Sequence, residues 1–246
     1  MKKIITILAL LLICFNAHAG SKLRSDYTDY CEDAEFCLRM NGTENNSLLD
    51  ESGNDNHVVT NGGADYTTSG CKEGNCYTFI SANSDYLAIN DSSSLDIGTS
   101  DFSISVWVKR VTIDADATIV DKVDGPNNGY QWFFTASTNQ QRFRIDSGTG
   151  SVGNSSTATT DTAEFHHYAV TCDRDGNAIF YLDGEADGTL DISGDSGDIS
   201  NAINLAIGSN EDLAGAFLNG AMDELIVILR ILTPEEITDI YNNGLK

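Results

Sequence analysis

Basic side chains are scarce. Lys and Arg number 14 against 37 Asp and Glu in 246 residues, a formal net charge of −23 at pH 7. A chain so poor in cations has no stripe with which to displace counterions from a phosphate backbone, so nucleic-acid binding is excluded. Anionic membranes repel it as well. Proline occurs only twice, and neither copy breaks an apolar run. No stretch reaches the roughly 18 consecutive apolar residues that a membrane-spanning helix needs. No Cys-x-x-Cys pair is present, so a thiolate zinc site is not expected. Gly148, Gly150 and Gly153 have a dinucleotide-binding spacing, but a Ser/Thr-rich run follows where that motif needs a helix, so nucleotide binding is not expected either.

What is present is 41% hydrophobic, enough to bury a core in one domain. The acids are mostly Asp, 26 against 11 Glu. Asp favours turns and caps where Glu favours helix surfaces, so the charge belongs to loops. Lys2 and Lys3, the apolar run from Ile4 to Phe15, and Ala17-His18-Ala19 have the order of a secretory leader cleaved before Gly20. Residues 1–19 are therefore expected to be a signal peptide, 20–35 a lead-in and 36–246 the domain, with the mature chain secreted or held in a periplasm or at a cell surface. Loss of the two leader lysines takes the charge to 12 − 37 = −25.

Export turns the five cysteines beyond the leader towards bridges. Local spacing suggests Cys31–Cys37 and Cys71–Cys76, each small loop contributing roughly 2 kcal/mol by chain entropy. A crossed pairing such as Cys37–Cys71 stays open. Cys172 lies in an apolar strand and reads as a small buried hydrophobe.

The remainder reads as short strands between turns. Over Phe102 to Arg110, Phe102, Ile104, Val106 and Val108 share one face, and Ser103, Ser105, Trp107 and Lys109 the other. Similar runs are Tyr86 to Ile89, Ala117 to Val120, Tyr130 to Phe134, Arg142 to Ile145, His167 to Cys172, Ala178 to Leu182, Ile203 to Ile207 and Leu225 to Leu229. Asp173 to Asn177 suits a tight hairpin, with Gly176 free to take positive φ. Residues 148–162 are the most loop-like stretch. Nine or more such strands predict an all-β, two-sheet antiparallel jelly-roll sandwich. One short C-terminal helix is specified by Thr233, Pro234 and Glu236 at its start, by Ile237, Ile240 and Tyr241 on one face, and by Gly244 at its stop.

Five stretches, taken in order, resemble laminin-G-like domains of the concanavalin A-type lectin/glucanase class, the jelly rolls related to pentraxins. They are the loop Asp50 to His57, the strands from Asp85 to Lys109, Phe165 to Thr171 with Tyr181 to Gly184, Phe217 to Glu224, and the helix from Thr233 to Gly244. Phe165 stands where the family usually has Trp. The resemblance covers roughly residues 36–244 and is specific for fold, not for function.

Calcium is the cofactor expected of such a domain. Asp50, Ser52, Asn54 and Asn56 place oxygen-bearing side chains at every second position of a curled loop, which suits a hard cation wanting six to eight oxygens. It is not an EF-hand: Asp55 stands where that loop needs glycine. The resemblance implies an ion shared between the early loop and the late strand, here Asp50 and Asp223. The alternative is an Asx-rich turn in which Asp50 and Asn54 cap their own backbone.

Catalysis is not expected. The Glu-x-Asp-x-x-Glu strand of the glucanase branch is missing, and the adjacent His166 and His167 point to opposite faces of a strand. The resemblance leaves a non-catalytic module binding a glycan or cell-surface polysaccharide, with Tyr130, Trp132 and also Trp107 as candidate stacking residues, although the family generally buries its aromatics at these positions and core is the stronger reading of each. A structural or adhesive surface protein, including a virion component, and a diverged hydrolase or lyase remain as alternatives.

Overall fold

The alternation at Phe102–Arg110 becomes the centre of a sheet. In this computed structural model, which describes residues 29–125 and 128–245, Phe102, Ile104, Val106 and Val108 enter the main core. The described strands begin with β1 (Phe36–Leu38), β2 (Val58–Asn61), β3 (Asp65–Thr67), β4 (Cys76–Phe79), β5 (Leu87–Ile89), β6 (Phe102–Arg110), β7 (Ala117–Val123) and β8 (Gly129–Phe134). They continue with β9 (Gln141–Asp146), β10 (Ser151–Asn154), β11 (His166–Cys172), β12 (Asn177–Leu182), β13 (Glu185–Asp191), β14 (Leu205–Ile207) and β15 (Gly220–Ile228), and the helix α1 (Pro234–Asn243) closes the chain. Eight strands form one sheet, in the order β13-β12-β11-β6-β15-β4-β3 with β1 added on β15; seven form the other, β10-β9-β8-β7-β14-β5-β2. All pairings are antiparallel. This is the expected all-β jelly-roll sandwich.

The outer face of the eight-stranded sheet has its own cover. Cys37, Ala169, Tyr181, Ile226 and Ile228 pack there against Ile237 and Ile240 of α1 and against Tyr30, Cys31 and Ala34. Packing therefore starts ahead of residue 36, inside the expected lead-in. The Cys31–Cys37 and Cys71–Cys76 bridges both form, and Cys172 is free and buried. The expected leader, residues 1–19, lies outside the described residues.

Helix α1 has both halves of a capping box: Glu236 N donates to Thr233 Oγ1 and Thr233 N donates to Glu236 Oε2. Thr233→Ala is expected to lower stability by about 1 kcal/mol, read as a shift in the urea midpoint with an unchanged slope.

Three features differ from the sequence reading. Ser151–Asn154, within the stretch taken as loop, is the edge strand β10 on β9; its Ser, Gly and Asn carry no apolar pattern. Gly176 is not at positive φ; it is needed for close approach, since a Cβ would meet Asp173 Oδ2 at 2.8 Å. And β15 begins at Gly220, five residues before Leu225. Its edge is shared: Gly220–Met222 pair with β4, Leu225–Val227 pair with β1, and a bulge at Asp223 and Glu224, with Glu224 at φ 51, sits at the switch.

Candidate metal loop and binding surfaces

The loop after β1 folds around the Asp50 carboxylate. Oδ1 accepts from Cys37 N (2.9 Å) and Ser52 N (3.0 Å), and Oδ2 accepts from Ser52 Oγ (2.7 Å) and Asn56 N (2.9 Å). Asp50 thus fixes the turn. In front of it Ser52, Asn54 and Asn56 converge on one backbone oxygen, Glu35 O, at 3.2, 3.2 and 2.8 Å. Ala34 O lies 3.2 Å and Glu35 Oε2 3.4 Å from Asn54 Nδ2. Burial and the Asp50 charge push the Glu35 carboxyl up.

The structure brings together Asp50, Ser52, Asn54 and Asn56, and it adds Ala34 and Glu35. It does not bring in Asp223. Asp50 is anchored on Cys37, which pairs with Ile226, three residues or about 10 Å of strand beyond Asp223. At the β15 bulge, Asp223 Oδ2 accepts from Lys72 N (3.1 Å) and Glu73 N (2.9 Å) of the Cys71–Cys76 loop, and Oδ1 has no hydrogen-bond partner. Burial lifts this carboxyl to about 8 and that of Glu224 to about 7.

Among the described residues no three His, Cys, Asp or Glu side chains form a metal set. An ion at the Asp50 loop therefore depends on amide, hydroxyl and carbonyl oxygens. Those are oxygen types that calcium takes. Around Glu35 O the three contacts are hydrogen bonds, donated by Ser52 Oγ and by Nδ2 of Asn54 and Asn56. To present Oδ1 instead, the amides of Asn54 and Asn56 would have to turn over and give up their hydrogen bonds to Glu35 O.

Tyr130 and Trp132, the candidate stacking residues, are 2% and 0% exposed in the main core, as the stronger core reading has it, so neither ring can meet a sugar. The even positions of β8 serve the interior. Trp107 is also covered, by Tyr241 stacked at 5.4 Å, the Lys72 ammonium at 3.7 Å and His167 at 5.1 Å. Ser105 Oγ lies 2.7 Å from His167 Nε2, yet both residues are fully buried and Nδ1 has no partner. Burial lowers His167 to about 3, which keeps it neutral. The pair lacks both an orienting acid and access.

An open cleft of about 510 Å³ lies at the rim, between the loop after β1 and β3. Half-buried Tyr66 forms one wall, its hydroxyl donating to Gly42 O (2.9 Å) and its ring set edge-on to Tyr77 at 5.9 Å. Glu44, Asn45, Asn61 and Asp65 supply the polar lining. The Cys71–Cys76 bridge ties β4 to the loop leading back to β3, where Tyr66 pairs with Tyr77, and so steadies this wall. Sequence reading missed Tyr66 because β3 is three residues long and carries no alternation.

Two antiparallel layers, a capped C-terminal helix and ligand-sized openings at the loop rim define a jelly-roll domain of lectin type. Residues 81–238 match the family described as the concanavalin A-like lectin/glucanases superfamily, and the chain belongs to it. Similar solved structures include the binding domain of Paraclostridial Mosquitocidal Protein 1 (TM-score 0.69, 16% identity, 87% of this chain and 52% of that one). Another is the binding domain of Botulinum Neurotoxin DC in complex with SialylT (TM-score 0.68, 17% identity, 88% and 52%). At such identity the likeness is one of fold, and this chain spans about half the length of either. A 55-residue stretch, 20% of this chain and 6% of the other, is 47% identical to human (Homo sapiens) Adhesion G-protein coupled receptor D1.

Proposed function

We propose that the chain is an exported, non-catalytic carbohydrate-binding module whose Asp50 loop holds a structural calcium ion. The carrying observation is the rim cleft, which half-buried Tyr66 lines together with Glu44, Asn45, Asn61 and Asp65. Sugar recognition needs that combination of a flat apolar face with convergent hydrogen-bonding groups. Several of the solved structures of this fold are described as binding domains, one of them in complex with SialylT, which favours binding over hydrolysis. The buried Ser105–His167 pair argues in the same direction. Ser52, Asn54 and Asn56 with the Ala34 and Glu35 carbonyls would hold the calcium, and Asp50 would shape the loop from behind.

A glycan array probed with and without calcium tests both halves. Binding is expected on wild type and is expected to weaken by about tenfold or more in Tyr66→Ala, which removes the stacking face. Calcium at 100 times its Kd would add about 2.7 kcal/mol, a rise of several degrees in the thermal midpoint that Asn56→Ala abolishes. A midpoint insensitive to chelation after verified metal removal would reject the ion. An array blank in both conditions would favour a structural or adhesive protein that uses the fold for protein contacts.

A further inference from the structure

The solvent face of the seven-stranded sheet carries a group that the rim cleft does not use. On β8 the core takes Tyr130, Trp132 and Phe134, so Gln131 and Phe133 face outward, half-buried. On β9 the core takes Phe143 and Ile145, so Arg142 and Arg144 face the same way. Register sets Arg142 opposite Phe133 and Arg144 opposite Gln131, and it sets Asn154 of β10 on the other side of Arg142. Directly opposed side chains on one face stand about 5 Å apart. Of only 14 cationic residues, one thus stands opposite an aromatic ring and a second lies two residues along on the same face. Arg144 is held by Asp146 at 3.0 Å. Among the described residues Arg142 has no hydrogen bond or ion pair, so its five donors are uncommitted.

We propose that this face binds an acidic glycan, with a sugar carboxylate on the Arg142 guanidinium and a sugar ring against Phe133. A planar guanidinium matches a planar carboxylate with two parallel hydrogen bonds, and a β8 aromatic supplies the apolar partner that a pyranose face needs. The net charge of −23 works against any polyanion, but it is screened beyond about 8 Å at physiological salt. Contact therefore depends on the local cation. A polymer bearing one carboxylate per sugar is tolerated where a densely sulfated one is repelled. The proposal rests on the carbohydrate-binding reading but on a different surface.

The test is titration calorimetry with polygalacturonate, with its fully methyl-esterified form as the uncharged match and dextran sulfate as the denser polyanion. Wild type is expected to bind polygalacturonate, to lose the methyl ester, and to weaken as salt rises. Arg142→Ala and Phe133→Ala are each expected to weaken binding by about tenfold or more at an unchanged thermal midpoint. Arg142→Lys should recover only part of the affinity, because an ammonium cannot form the paired bonds. Tyr66→Ala should bind polygalacturonate normally, so failure of the rim cleft and failure of this face are distinguishable. No binding of polygalacturonate, equal binding of its methyl ester, tighter binding of dextran sulfate, or an unaffected Arg142→Ala would each overturn the proposal.

Discussion

Lowering the pH from 8 to 5 is expected to raise the thermal midpoint by roughly 10 °C, the reverse of the usual acid response. The cause is a set of buried acids whose desolvation outweighs what nearby charges and hydrogen bonds return. Desolvation lifts Asp223 to about 8, Glu224 to about 7 and Asp121 to about 7, the last helped by the neighbouring Glu211 carboxylate. All three are raised above their unfolded values. The folded chain therefore keeps protons that the unfolded chain releases, and stability present below about pH 4 is lost progressively as pH rises towards 8. Across the pH 5–8 window the three sites together are worth on the order of 3–5 kcal/mol. His167 works the other way: its folded pKa is depressed to about 3, so it withdraws stability as pH falls below the ordinary histidine range. The acids outweigh it because they are three against one. Asp223→Asn isolates the largest share. The amide oxygen can accept from both Lys72 N and Glu73 N as Oδ2 does now, so the variant should gain stability at pH 8, gain little at pH 5, and flatten the profile. Midpoints measured at constant ionic strength that are level across this range, or a variant with the wild-type slope, would remove the buried acids as the cause.

The same residues show where sequence reading works and where it stops. Strands that bury one face declare themselves by alternation, and β6, β8, β9, β11 and β12 were all legible, as were α1 and its cap. Proximity alone was enough for the two bridges. Edge strands such as β3, β10 and β13 were not legible, because Asp, Gly, Ser and Thr dominate them and no apolar period survives. Asp223 was expected as a ligand because the resemblance pairs it with Asp50, and nothing in the sequence marked it or Glu224 as buried. Only the split edge of β15 reveals that one of them closes the gap between β4 and β1 by capping a loop 150 residues away. Tyr130 and Trp132 could be read as core or platform from sequence, with core the stronger reading; the structure puts them in the core, and Gln131 and Phe133 hold the outward positions. Arg142 carried a signal, a cation flanking Phe143 in an acidic chain, but its pairing with Phe133 needs the register.

Asp195→Ala is expected to cost about 3 kcal/mol, because four partly buried donors lose one shared carboxylate at once. Its Oδ1 accepts from Ser147 N (3.0 Å), Thr149 N (3.2 Å) and Gly150 N (2.9 Å), and Oδ2 accepts from Ser151 Oγ (2.5 Å). One carboxylate therefore organises the whole β9–β10 turn. The backbone around it is held from the other side by Arg174, which donates to Gly98 O, Asp195 O and Gly197 O and whose own amide donates to Asp101 Oδ1. Three loops at one end of the sandwich meet at this pair, so alanine strands several backbone amides where no protein acceptor replaces the carboxylate. Asp195→Asn keeps one acceptor oxygen and should fall between wild type and alanine. These hydrogen bonds hold the acid down at about 2. Its contribution is thus full above about pH 4 and fades as pH falls towards 2. That places an acid limb below the window governed by Asp223, Glu224 and Asp121, and stability should peak between the two, near pH 5. Urea titrations at pH 5 and pH 3 check the assignment: the penalty of Asp195→Ala should shrink at pH 3, where the wild-type carboxylate is itself losing its advantage. An equal penalty at both pH values would show that the turn is held by packing rather than by the charge on Asp195.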